Sequence, residues 1–94
     1  MEANISLLDP ADGSTIKGTV TVIFNSSGLL QTFQFIVDGW DVKGMFQDLR
    51  KHAYQPFQWN TRHVANGPHT YSVRMETSDG KTATAIPFNV IISN

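Results

Sequence analysis

Trp59-Asn60-Thr61-Arg62-His63-Val64-Ala65-Asn66-Gly67-Pro68-His69-Thr70-Tyr71 joins the end of an aromatic strand, a polar Asn-Gly-Pro turn and the start of a second strand. Gly67 is expected at positive φ, because Asn-Gly steps favour such turns and glycine adopts that backbone at no steric cost. Beyond the turn, Tyr71, Val73 and Met75 alternate with Ser72, Arg74 and Glu76, the period of two of a half-buried strand. Upstream, Phe33, Phe35 and Val37 share one face with Gln34 opposite, and Asp38-Gly39 is a turn signal. Phe57 and Trp59 share a face after Pro56. The apolar side chains of these strands are in phase, so Trp59 is expected in a core against Phe35, Val37 or Tyr71.

The rest of the chain extends the pattern. Residues 5–8 read as a first strand and residues 9–14 as a loop shaped by Pro10 and Gly13. Val20, Val22 and Phe24 alternate with Thr19 and Thr21. Asp79-Gly80 fits a tight hairpin turn. A last strand is expected over 82–92, with Ile86, Phe88, Val90 and Ile92 on one face and an edge or bulge at Pro87. About seven short strands separated by turn signals imply an antiparallel β-sandwich. The 94 residues suit a single domain, 1–94. One stretch breaks the rhythm. Residues 40–55 show no period of two and read as a long loop, in which 45–53 could form one or two helical turns with Phe46, Leu49 and Ala53 along one side.

Bulk composition removes several function classes. Seven basic and eight acidic side chains leave a net charge of −1, so the surplus of Lys and Arg that nucleic acid requires is missing. The same balance gives no long-range pull toward a membrane surface. With no cysteine, neither a disulfide nor a thiolate zinc site is possible. No apolar run approaches the ~20 residues of a membrane span. Met1-Glu2-Ala3-Asn4 lacks a basic and an apolar leader region, and the chain is expected to be a module of a longer protein.

Four pieces, in order, resemble the bacterial immunoglobulin-like domains of secreted and surface multidomain proteins. They are Pro10-Ala11-Asp12-Gly13-Ser14-Thr15-Ile16-Lys17-Gly18-Thr19-Val20-Thr21-Val22, Phe35-Ile36-Val37-Asp38-Gly39, Pro56-Phe57-Gln58-Trp59-Asn60-Thr61 and Asn66-Gly67-Pro68-His69-Thr70-Tyr71. Asn60 stands where that family often has Asp, and residues 40–55 are longer, more aromatic and more basic than its usual connection. The resemblance implies an immunoglobulin-like sandwich. It also implies an accessory module, secreted or at the cell surface, beside enzyme or adhesin domains of the same chain.

Candidate chemistry is sparse. His52, His63 and His69 form no His-x-His or His-x-x-x-His pair, so no transition-metal site is expected, and His69 reads as a residue that satisfies turn backbone. No nucleophile elbow surrounds any serine, and no enzymatic activity or cofactor is expected. Asp9, Asp12, Asp38 and Asp41 could meet near loops as calcium ligands, but turn capping explains each of them. The candidate ligand-binding residues are Trp40, Phe46, Arg50, Lys51, His52 and Tyr54, all in the irregular segment. Their aromatic rings could stack on a sugar or anchor a surface protein, with Trp40 and Tyr54 as the stacking pair. The competing expectation is that Trp40 and Phe46 fold back over one end of the sandwich. The leading reading is a non-catalytic module that spaces or stabilises neighbouring domains or mediates protein contacts; a carbohydrate-binding module using the aromatics of residues 40–55 is the alternative.

Overall fold

Two β-sheets face each other across an apolar core. The computed structural model describes residues 4–28 and 30–94; residues 1–3, read above for a leader, lie outside it. The described residues form β1 (Asn4–Asp9), β2 (Ser14–Ile16), β3 (Thr19–Ser27), β4 (Leu30–Val37), β5 (Trp40–Asp48), β6 (Phe57–Asn60), β7 (Gly67–Thr77), β8 (Thr82–Thr84) and β9 (Phe88–Ile92). One 3-10 turn, Thr61–His63, links β6 to β7. The smaller sheet has the order β1-β3-β6 and the larger β2-β9-β7-β4-β5, with β8 also paired to β7. Only the β2–β9 pair is parallel among those described. The fold is therefore the all-β sandwich expected from the strand pattern, without a cysteine.

The alternating strands place their apolar sets as their phases require. Val22, Phe33, Phe35, Tyr71, Val73, Met75 and Val90 are all buried. Trp59 is 4% exposed and packs on Phe35 and Tyr71, with ring centroids 5.4 and 5.7 Å away. Tyr71 continues the contact to Phe88, edge-on at 6.1 Å. Its hydroxyl donates to the Pro10 carbonyl, tying β7 to the crossing between β1 and β2. Burial pushes the Tyr71 phenol far up, so it stays a neutral donor. Thr61 is fully buried yet satisfied: its N–H and Oγ1 both donate to the Gly18 carbonyl, at 3.0 and 2.7 Å.

Three expectations need correction. Residues 40–55 are not a long loop, for most of the segment is β5, and Phe46 lies on a strand rather than along a helical turn with Leu49 and Ala53. The strand expected over 82–92 is two strands, and Ile86 is 83% exposed rather than inward. Ala83 and Ala85 turn inward on one side of Pro87, and Phe88, Val90 and Ile92 on the other. One extra residue between 85 and 88 shifts the phase and expels Ile86. The Asp79-Gly80 turn is present but longer than a two-residue hairpin, since Thr77 N–H closes it on the Lys81 carbonyl at 2.8 Å.

The course of β5 sets up everything that follows. In an immunoglobulin constant domain the strand after the third pairs into the opposite sheet. Here the chain reverses and remains hydrogen-bonded to β4, so β5 is the edge of the larger sheet and β6 the edge of the smaller.

Candidate functional site: the β5 edge and the outer sheet face

Asp38 at φ 53 and Gly39 at φ 82 give the two successive positive φ angles of a two-residue hairpin turn, and Val37 faces Trp40 across it. Asp38 is held there by its own side chain. Its Oδ1 accepts from Thr70 N–H at 2.9 Å, and its Oδ2 lies 2.6 Å from His69 Nδ1. His69 Nε2 lies 2.7 Å from the Ala65 carbonyl. Both ring nitrogens thus face acceptors, which suits the doubly protonated imidazolium. The bond to Asp38 raises the His69 pKa above its usual value despite burial. Burial pushes Asp38 up, but the bonds from Thr70 and His69 outweigh it and hold the carboxyl below the usual range. His69 therefore organises turn backbone, as the sequence implied.

Further along, β5 bulges. Gln34 pairs with Phe46 and Ile36 with Asp41, so β4 advances from 34 to 36 while β5 runs from 46 back to 41. Gly44, at φ 85, takes the left-handed backbone this detour needs. The Gln34 side-chain amide fills the gap. Its Nε2 lies 2.8 Å from Phe35 O, 3.0 Å from Val42 O and 3.4 Å from Met45 O. Val42 and Met45 consequently pack against the core, while Phe46 points outward and is 54% exposed. The bulge also blunts an edge strand that would otherwise invite another chain to pair.

After β5 the chain makes one tight turn, with Lys51 and His52 N–H both donating to Asp48 O at 3.0 and 3.1 Å. Arg50 folds back on Asp48 through Nε to Oδ1 and Nη2 to Oδ2, both at 2.9 Å. These hydrogen bonds hold the Asp48 carboxyl down at about 2. Gln47 then clamps the returning chain: its Oε1 accepts from Gln55 N–H at 2.9 Å and its Nε2 donates to Gln55 O. Tyr54 rests edge-on against Phe24 and Phe33, at 5.8 and 5.7 Å, and closes that end of the core.

The six candidate residues are thus dispersed. Trp40 stands at the hairpin tip, 79% exposed, and covers no end of the sandwich. Tyr54 sits at the other end, over Phe33 rather than Val37. Four residues of extended strand separate those two supports, roughly 13 Å, so Trp40 and Tyr54 are not brought together as a stacking pair. Phe46 and Arg50 do meet, in a depression of about 250 Å³ shared with Arg74 and Glu76. His52 lines a second groove of about 440 Å³ with Met45 and Pro56, and Phe46 lines both. Lys51 is exposed on the turn.

Arg74 was not singled out from the sequence. It pairs with Asp41 through Nη1 to Oδ1 at 3.0 Å and Nη2 to Oδ2 at 2.8 Å. Its outward phase on β7 was visible, but its partner lies across another strand. Three of the four candidate calcium ligands are engaged apart from one another: Asp41 by Arg74, Asp38 by His69 and Thr70, and Asp12 by Asn89 N–H at 2.7 Å. Among the described residues no group of three or more His, Cys, Asp or Glu could hold a metal ion. None of their helices is long and apolar enough to cross a membrane.

The fold is an all-β sandwich, and the solved structures similar to it include fibronectin(III)-like modules. Fibronectin(III)-like modules of Clostridium thermocellum CbhA are similar to this chain with a TM-score of 0.66 at 20% identity, over 95% of this chain and 93% of theirs. The endo-β-1,4-mannanase of Thermotoga petrophila is similar with a TM-score of 0.75 at 18% identity, over all of this chain. An engineered protein is similar with a TM-score of 0.68 at 20% identity, over 99% of this chain. The chain spans 20% of the mannanase chain and 20% of the engineered one. These likenesses are of fold. No family model and no curated protein sequence matches the chain.

Proposed function

We propose that this chain is a non-catalytic immunoglobulin-like module of a bacterial secreted or cell-surface protein, which spaces or packs against the domains beside it. The observation that carries the reading is the pair of coverages. The same sandwich makes up nearly a whole fibronectin(III)-like module and a fifth of a mannanase chain, so it occurs as a unit within longer proteins. The core supports this: the described buried side-chain polar atoms all have hydrogen-bond partners within the chain. The test is reducing-sugar release from β-1,4-mannan and cellulose by the purified 94-residue chain. Background rates are expected. Turnover that one side-chain substitution abolishes would overturn the non-catalytic reading.

A second reading has one observation in its favour. Trp40 and Phe46 are exposed, at 79% and 54%, on a rigidly hydrogen-bonded strand. Aromatic rings held in water in this way suit a polysaccharide, whose sugar faces stack on them. In that case the module would also hold its parent protein on a glycan.

A further inference from the structure

We infer that the outward face of the larger sheet, centred on Phe46 and Arg74, is a binding site for an uncharged polysaccharide chain. The inference rests on the second reading above, keeps Phe46 as the aromatic contact and leaves Trp40 outside the site.

Strand phase puts Thr32, Gln34 and Ile36 of β4, and Ser72, Arg74 and Glu76 of β7, on the face of the sheet away from the core, where Ile36 and Ser72 are themselves buried. Phe46 joins them opposite Gln34, and Thr84 joins them opposite Arg74. Two shallow depressions lie on this face, of about 250 and 240 Å³. Arg74 lines both, so they form one run. The first holds Phe46 and Arg50, and the second reaches Thr84 and Pro87. From β5 across β4 and β7 to β8 the run takes three inter-strand steps, about 14 Å, the span of a short oligosaccharide rather than of one small molecule.

The charges on this face specify the ligand class. Both arginines are bidentate to a carboxylate, Arg50 to Asp48 and Arg74 to Asp41. Each guanidinium is therefore neutralised and its plane fixed, and it keeps N–H groups free to donate. An anionic ligand finds no surplus positive charge, and Glu76 opposes it further. A neutral polyol finds planar donors, adjacent carboxylate acceptors, and the hydroxyls of Thr32, Thr82 and Thr84. Phe46 supplies the apolar surface for a sugar face. Because the ion pairs and the Gln34-filled bulge preset these groups, little side-chain freedom is lost on binding.

Affinity electrophoresis tests this, with gels containing galactomannan, hydroxyethylcellulose or polygalacturonate. At least one neutral polymer is expected to retard the wild-type chain, and polygalacturonate is not. Phe46→Ala should weaken retardation about tenfold or more, with Arg74→Ala acting in the same direction. Trp40→Ala should migrate as wild type. Near-ultraviolet circular dichroism checks that each variant is folded. Retardation lost with Trp40→Ala and kept with Phe46→Ala would overturn the site while sparing the glycan reading. No retardation of wild type by either neutral polymer would overturn both, leaving the accessory module. Stronger retardation by polygalacturonate would overturn the neutral-ligand assignment.

Discussion

Replacing Trp59 by alanine removes the ring that both sheets share. Trp59 is 4% exposed, on an edge strand of the smaller sheet, and its ring meets Phe35 and Tyr71 of the larger. An indole buries about 200 Å² on folding, which at about 25 cal/mol per Å² is about 5 kcal/mol as an upper bound. Two aromatic contacts add about 0.5–1.5 kcal/mol each, and partial collapse of the cavity returns part of the total. The expected loss is about 3–5 kcal/mol, a large fraction of the roughly 5–14 kcal/mol a chain of this length possesses. Urea unfolding followed by far-ultraviolet circular dichroism measures it. At a slope of about 1–1.5 kcal/mol per molar, the midpoint should fall by about 3 M. Should the variant not fold, Trp59→Phe keeps a ring against Phe35 and should cost about 1–2 kcal/mol. The chain has two tryptophans, so this variant also leaves Trp40 as the sole indole emitter, and its fluorescence should be that of a solvent-exposed ring. A loss under about 1 kcal/mol for Trp59→Ala would refute the reasoning, and blue-shifted Trp40 emission would refute the exposed hairpin tip.

Other substitutions probe the local devices. Gly67 has φ 124, and nothing lies within 4 Å of where a Cβ would stand, so Gly67→Val meets backbone strain alone and should cost about 1–3 kcal/mol by urea unfolding. The His69–Asp38 pair gives a pH signature. A raised His69 pKa contributes stability that is complete below the usual 6.5 and is lost as pH rises through the folded value. The lowered Asp38 pKa contributes stability present above the usual 3.8 and lost as pH falls through its folded value. His69→Gln should therefore cost most between these limits, about 0.5–1 kcal/mol given the partly exposed Asp38, and a difference that grows above about pH 8 would contradict the pairing. Gln34→Ala strips the bulge carbonyls of their shared donor, with an expected loss of about 1–2 kcal/mol and faster hydrogen exchange in β5 than in β7.

Much of the sandwich was legible because its strands alternate against a core. Val20, Val22 and Phe24, then Phe33 and Phe35, then Tyr71, Val73 and Met75 all announce their inward faces, and Gly67 its positive φ. What stayed hidden came from departures in period. In β5 the bulge at Gly44 separates the inward Val42 and Met45 by three positions, which imitates a helix. At Pro87 one extra residue reverses the phase and turns Ile86 outward. The three residues of β2 are too few to show any period. Candidate site residues fared worse for a different reason. Phe46 and Arg50 are near in sequence, but Arg74 reaches Asp41 across 33 positions, and only strand register brings them together. The segment's aromatic and basic content was visible, whereas its division between a hairpin tip, a sheet face and a core end depends on the bulge.

Scanning calorimetry of the isolated 94-residue chain addresses most directly whether it is a self-sufficient module. A single reversible transition is expected, with calorimetric and van't Hoff enthalpies equal and at roughly 60–80 kcal/mol, the value for a two-state domain of this length. A chain that shows no cooperative transition alone, and gains one only when fused to a neighbouring domain, would contradict the module reading.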